Sequence, residues 1–131
     1  MLLYHQLWLT AFFLTQLLES PLYYRVLSRA EESGRGPKLG ALPYPRSRRL
    51  LLALTPSALT HPLLWMVWPA LLRPLELPWY AHTFLGEGIV WGAEGLFLWA
   101  LGVAYPWRWS AAANLLSALS FHIFLRSTTL L

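Results

Sequence analysis

Four ionisable side chains stand in stretches of this 131-residue chain that are otherwise almost wholly apolar. They are Glu19 in "LTQLLESPLYY", His61 in "SALTHPLLW", and Glu87 and Glu94 in "FLGEGIVWGAEGLFLWALG". Carboxylate oxygens and an imidazole nitrogen suit a hard or borderline divalent metal. A His/Glu set can also bind zinc with one position left open for catalysis. The same groups can hold and pass protons. Asn114 and Ser117 in "SAAANLLSALS" add neutral hydrogen-bonding groups. No compact signature such as H-E-x-x-H is present, so Glu19, His61, Glu87 and Glu94 would have to reach a metal from separate segments.

Other chemistries have less support. With no cysteine in the chain, disulfides, thiol nucleophiles and thiolate metal sites are excluded. Haem would need two axial ligands, and His61 and His122 differ in depth by about 5 Å along their helices. Ser57, His61 and Glu94 contain the residue types of a hydrolase. However, Ser57 and His61 lie one helical turn apart on one segment, and no G-x-S-x-G elbow is present. Phosphate loops and dinucleotide fingerprints are absent. The basic loop also carries Glu31 and Glu32 and lacks interleaved aromatics, so a nucleic-acid partner is not expected.

The elements that must position these residues are membrane helices. Hydrophobic residues make up 56% of the chain and charged residues 12%, about half the usual charged share. Mean hydropathy is +0.44, and a soluble chain of this length could not hide that much apolar surface in one core. About 20 mostly apolar residues span a bilayer. Four segments qualify, at about 2–26, 50–72, 81–104 and 107–126, with a polar, Gly/Pro-rich loop at 28–49. The chain is therefore expected to be a single all-α domain, 1–131, folded as a polytopic bundle of four helices. Pro21, Pro56, Pro62 and Pro69 should kink it. Short connections are expected at 73–78 and 105–108. The N-terminal apolar run has no basic n-region and no small-residue cleavage site, so it reads as a retained helix.

Eight of the ten Lys and Arg residues fall on one side of this layout, seven of them between Arg25 and Arg49. The positive-inside rule then places loop 28–49 in the cytoplasm and both termini outside. At about 100° per residue, each helix has one polar side. His5, Thr15, Gln16, Glu19 and Tyr23 share a face of the first helix. Ser57, His61, Trp65 and Trp68 share one on the second. Glu87 and Glu94 stack two turns apart on the third, and Ser110, Asn114 and Ser117 align on the fourth. Facing inward, these four sides make one polar core. Counting rise along each helix pairs His61 with Glu94 near mid-membrane, Glu19 with Asn114 nearer the cytoplasm, and Glu87 with His122 toward the outer mouth. Gly88, Gly92, Gly95 and Gly102 form a separate stripe that contains a GxxxG pair, expected to pack the third helix against the fourth.

The motifs "LLESPLY", "ALTHPLLW", "GEGIVWGAEGLFLWALG" and "SAAANLLSALS" together resemble a group of small bacterial membrane proteins of uncharacterised function. The resemblance spans nearly the whole chain. It implies a four-helix architecture and a bacterial inner membrane, and it brings no activity, cofactor or substrate with it. The expected function is that of a small integral membrane protein whose buried Glu/His/Asn cluster serves an accessory or interaction subunit that handles protons or ions. The alternative is a metal-dependent intramembrane enzyme, or a metal- or haem-binding protein, built on the same residues. Beyond the bilayer, the expected partners are a second copy of the chain or a larger membrane complex.

Overall fold

The computed structural model describes residues 2–34 and 45–129, and every regular element among them is a helix. α1 runs Leu2–Glu32, α2 Arg46–Pro62, α3 Trp68–Leu72, α4 Trp79–Ala100 and α5 Pro106–Thr129. A π turn, Leu63–Val67, joins α2 to α3, and a 3₁₀ turn, Arg73–Leu75, ends that rod. The result is four rods: α1, α2 with α3, α4, and α5. α1 packs on α2 and α5, and α4 packs on α2 and α5, so the rods close into a ring with α1 and α4 facing across its middle.

The all-α expectation holds. One helical stretch among the described residues, Arg46–Leu75, has both the length and the hydropathy to cross a membrane. Several boundaries move. α1 continues six residues past Val26, because Arg49 from the start of α2 pairs with Glu31 and donates to Ser28 Oγ at 3.1 Å. The Arg49 guanidinium also lies over the Tyr24 ring. The part of the expected 28–49 loop from 35 to 44 lies outside the described residues.

The turn expected at 105–108 lies earlier. Gly102 has φ +75°, its N–H donates to the Trp99 carbonyl, and the Val103 N–H donates to the Leu98 carbonyl. This is a Schellman end, and only glycine adopts that backbone without strain. Buried Leu98 and Val103 supply its apolar contact. Pro106 then occupies the first position of α5, where its missing N–H costs nothing. The prolines act unequally. α1 runs through Pro21 as one helix, whereas the second rod leaves α geometry in the π turn directly after Pro62.

The interior is polar in its middle while large apolar side chains face outward. Glu19, Ser20, Ser57, Thr60, His61, Glu94, Ser110 and Ser117 are buried, while Phe13, Leu17, Leu51, Phe84, Trp99 and Ile123 face outward, each more than 60% exposed. At the end near Arg49 the interior is apolar, a cluster of Tyr23, Val26, Leu27, Ala30, Ala53, Leu98, Leu101, Val103 and Ala113.

The glycine stripe is only partly used. A Cβ on Gly95 would collide with the Trp107 ring, so this glycine lets α5 approach. A Cβ on Gly88 or Gly92 would meet nothing within 4 Å. The GxxxG pair therefore does not pack α4 on α5. Hydrogen bonds stitch that pair instead: Trp91 Nε1 donates to the Trp107 carbonyl at 2.8 Å, and Ser110 Oγ to the Trp91 carbonyl at 2.9 Å. Gly86 has a second close approach, to Leu64 and Trp68 of the proline-rich rod. Gly95→Ala should lower unfolding stability in detergent micelles by about 1–3 kcal/mol through overpacking. Gly92→Ala should leave it unchanged or raise it by up to about 1 kcal/mol through helix propensity.

Candidate functional site

Glu94 occupies the centre of the bundle and is 1% exposed. Its Oε2 accepts from Tyr23 Oη of α1 at 2.5 Å and from Asn114 Nδ2 of α5 at 2.7 Å. Its Oε1 faces Thr60 Oγ1 of α2 at 2.9 Å. One side chain is thus tied to all three other rods. Asn114 is oriented by a second acceptor, the Ser110 carbonyl one turn back, at 2.9 Å. This fixes which end of its amide meets the carboxyl.

Glu19, also 1% exposed, forms a second node. Its Oε2 accepts from Ser57 Oγ of α2 at 2.5 Å and its Oε1 from Ser117 Oγ of α5 at 2.6 Å. Small hydroxyls at Ser57 and Ser117 make this possible, because a bulky residue there would hold the helices apart. A carboxyl removed from water is tolerated when its lone pairs meet donors of this kind.

Both nodes line one cavity of about 70 Å³, with walls from every rod: Glu19 and Thr15 of α1, Thr60 and His61 of α2, Glu87 and Glu94 of α4, and Asn114 and Ser117 of α5. That is room for a few water molecules against several polar walls. Among the described residues, no Lys or Arg lines it. Leu64, Trp65, Glu87 and Phe121 line both this cavity and a wider recess of about 650 Å³ bounded by Trp68, Pro69, Leu77, His82 and Thr83. The cavity thus borders a recess at one end. At the other, the apolar cluster around Leu98 and Val26 closes the interior.

The candidate residues therefore share one space, with different pairings from those expected. Glu94 meets Thr60 on α2, and His61 makes no hydrogen bond to it. His61 is 9% exposed, its ring lies 5.6 Å from Phe12 and 6.0 Å from Trp65, and its Nε2 has no hydrogen-bond partner among the described residues. The neighbouring residue, Thr60, is turned about 100° around α2 and points toward α4. Asn114 binds Glu94 rather than Glu19, and Ser117 takes Glu19. The Asn114 amide is turned back toward Ser110, whose carbonyl it also meets, and this aims it at Glu94, while Ser117, most of a turn further on, faces Glu19. His122 is exposed and lines neither space, so it pairs neither with Glu87 nor with His61 as a second haem ligand. Ser57 donates to Glu19, and the His61 Nε2 takes no partner among the described residues, so the two do not form the Ser–His pair of a hydrolase.

The metal reading of Glu19, His61, Glu87 and Glu94 finds no supporting geometry. Among the described residues, no three His, Asp or Glu side chains converge as a ligand set. The oxygens of Glu19 and Glu94 are instead taken up by hydroxyl and amide donors. Thr60 is a member of this network that sequence reasoning did not place in the polar core, and Tyr23, placed on the inward face of α1, was not singled out as a site residue. Tyr23 lies four residues after Glu19, on the same face of α1, so its inward direction was visible. Thr60 carried no signal beyond its place beside His61. Comparison with known protein families, with curated proteins and with solved structures finds no match.

Removing the Tyr23 hydroxyl as Tyr23→Phe leaves a buried acceptor short of a donor and should cost about 1–3 kcal/mol of unfolding stability. Because Tyr23 and Glu94 share one hydrogen bond, Tyr23→Phe and Glu94→Gln should be non-additive by about 0.5 kcal/mol or more in a double-mutant cycle. Tyr23→Phe combined with Gly92→Ala, which shares no partner with it, should be additive.

Proposed function

We propose that this chain is a four-span protein of a bacterial inner membrane, with both termini outside and loop 28–49 in the cytoplasm. In this reading it is a non-enzymatic subunit that holds protons or a small cation in its polar core, acting as an oligomer or within a larger membrane complex. The observation that carries the reading is the charge composition of the cavity. Three carboxyls, Glu19, Glu87 and Glu94, and one imidazole, His61, line it, and among the described residues no Lys or Arg does. Three uncompensated negative charges inside an apolar bundle would be prohibitive. Protons or a bound cation must balance them. Intramembrane ionisable groups of this sort commonly mark relays and ion sites.

The membrane placement has separate support. Large apolar side chains cover the outside of α1, α2, α4 and α5 while the polar ones turn inward. Such a contiguous apolar exterior suits lipid far better than water. α1, α4 and α5, with 31, 22 and 24 residues, are each long enough to span. The clasp of Arg49 on Glu31 sits at the basic end, where the positive-inside rule puts the cytoplasm.

Two measurements test this reading. The chain has no cysteine, so single cysteines can be labelled without background. Ala41→Cys should react with a membrane-impermeant maleimide only after spheroplasts are permeabilised, and Ser127→Cys should react in intact spheroplasts. The reverse pattern would contradict the orientation. For the core, the protein in nanodiscs should take up protons or a monovalent cation reversibly in a titration, and uptake should fall in the Glu19→Gln/Glu94→Gln variant. Identical titrations for both proteins, with no cation bound by either, would refute the function.

A further inference from the structure

The two buried carboxyls share a feature that hydrogen-bond counting exposes. Thr60 Oγ1 lies 2.9 Å from Glu94 Oε1 and 3.0 Å from the Pro56 carbonyl. Ser117 Oγ lies 2.6 Å from Glu19 Oε1 and 3.0 Å from the Asn114 carbonyl. A hydroxyl carries one proton, so it can donate to only one of its two acceptors at a time. The other oxygen of each carboxyl has fixed donors: Tyr23 and Asn114 for Glu94, and Ser57 for Glu19.

We infer that Glu94 and Glu19 are two proton-binding sites, each built with a hydroxyl switch, Thr60 for Glu94 and Ser117 for Glu19, that satisfies the carboxyl with or without its proton. In the ionised form Thr60 donates to Glu94 Oε1. When a proton arrives from water in the cavity, it forms an O–H bond on Oε1. That O–H donates to Thr60 Oγ1, and the Thr60 proton turns to the Pro56 carbonyl. Glu19, Ser117 and the Asn114 carbonyl do the same. No heavy atom moves, and no buried donor or acceptor is left without a partner in either state, so neither state carries that penalty. A purely structural carboxyl would need donors for one state only.

The groups facing these sites are few. α1 contributes Glu19 and Tyr23, α2 contributes His61, and α4 contributes Glu87 and Glu94. From α5 come Ser110, Asn114 and Ser117, none of which titrates. Glu87 lines both the cavity and the recess, so protons enter past it, and the apolar cluster beyond Leu98 closes the opposite route.

This inference rests on the proton-or-cation reading above and narrows it to protons at two named carboxyls. The test is pH-difference infrared spectroscopy of the full chain in nanodiscs. Acidification should produce two carboxylic C=O bands that shift in D₂O. Glu94→Gln should remove one and Glu19→Gln the other, and Glu87→Gln should keep both. Thr60→Val, which preserves side-chain shape, should move only the Glu94 band to higher frequency, and Ser117→Ala only the Glu19 band. Bands that ignore both hydroxyl variants would overturn the inference, as would a band lost in Glu87→Gln alone. So would the absence of any carboxylic band while helix content is retained. If a stoichiometric monovalent cation is bound in that last case, the switch fails while the broader function stands. If no cation is bound, both fail.

Discussion

The structure turns on two carboxyls placed away from bulk water, each 1% exposed. A carboxyl taken out of water needs partners for its lone pairs, and the cost of leaving them unmet is larger than any single packing contact in so small a chain. Glu94 meets this constraint with one donor group from each of the other rods: Tyr23, Thr60 and Asn114. Glu19 meets it with Ser57 and Ser117. The ring of four rods is therefore fastened at its centre, and much of the rest reads as what lets the rods come close enough. Gly95 yields to Trp107, Gly86 to Leu64 and Trp68, and the serines occupy the tight crossings.

The polar centre also explains the division of the interior. Toward Arg49 the bundle is dry, sealed by Leu98, Leu101, Val103 and their neighbours. Toward Glu87 it stays polar and meets the aromatic-walled recess of Trp65, Trp68 and Phe121. A closed end and an approachable end give the buried acids a direction. His61 stands on this path with an unpartnered Nε2, wedged between Phe12 and Trp65. Its place is beside the nodes rather than in them. The π turn that follows Pro62 begins two residues beyond His61.

How far the sequence could be read depended on which physical signal each feature left. Helical segments were legible because long apolar stretches interrupted by Pro and Gly leave few alternatives. The polar sides were legible because Thr15, Glu19 and Tyr23, then Glu87 and Glu94, then Ser110, Asn114 and Ser117 each repeat at helical spacing along one helix. The pairing between helices was not. Depth counted from assumed helix ends carries an error of a turn. α1 runs six residues past its expected end on the strength of Arg49 and Glu31, a contact between residues 18 apart that no local pattern announces. A different error, of one residue or about 100° around α2, turned attention to His61 when Thr60 was the residue facing Glu94. The glycine stripe misled for a different reason. Gly88 and Gly92 have the spacing of a packing motif, but spacing does not say which neighbour, if any, approaches that face.

The contact between Tyr23 and Glu94 ties α1 to α4 at the centre of the bundle. Solid-state NMR of the chain in bilayers, with ¹³C-labelled tyrosine and glutamate, measures it. A through-space correlation between the Tyr23 ring Cζ and the Glu94 carboxyl carbon, with no magnetisation transfer from lipid acyl chains to Glu94, is the predicted result. Strong acyl-chain transfer to Glu94 without the Tyr23 correlation would contradict the account.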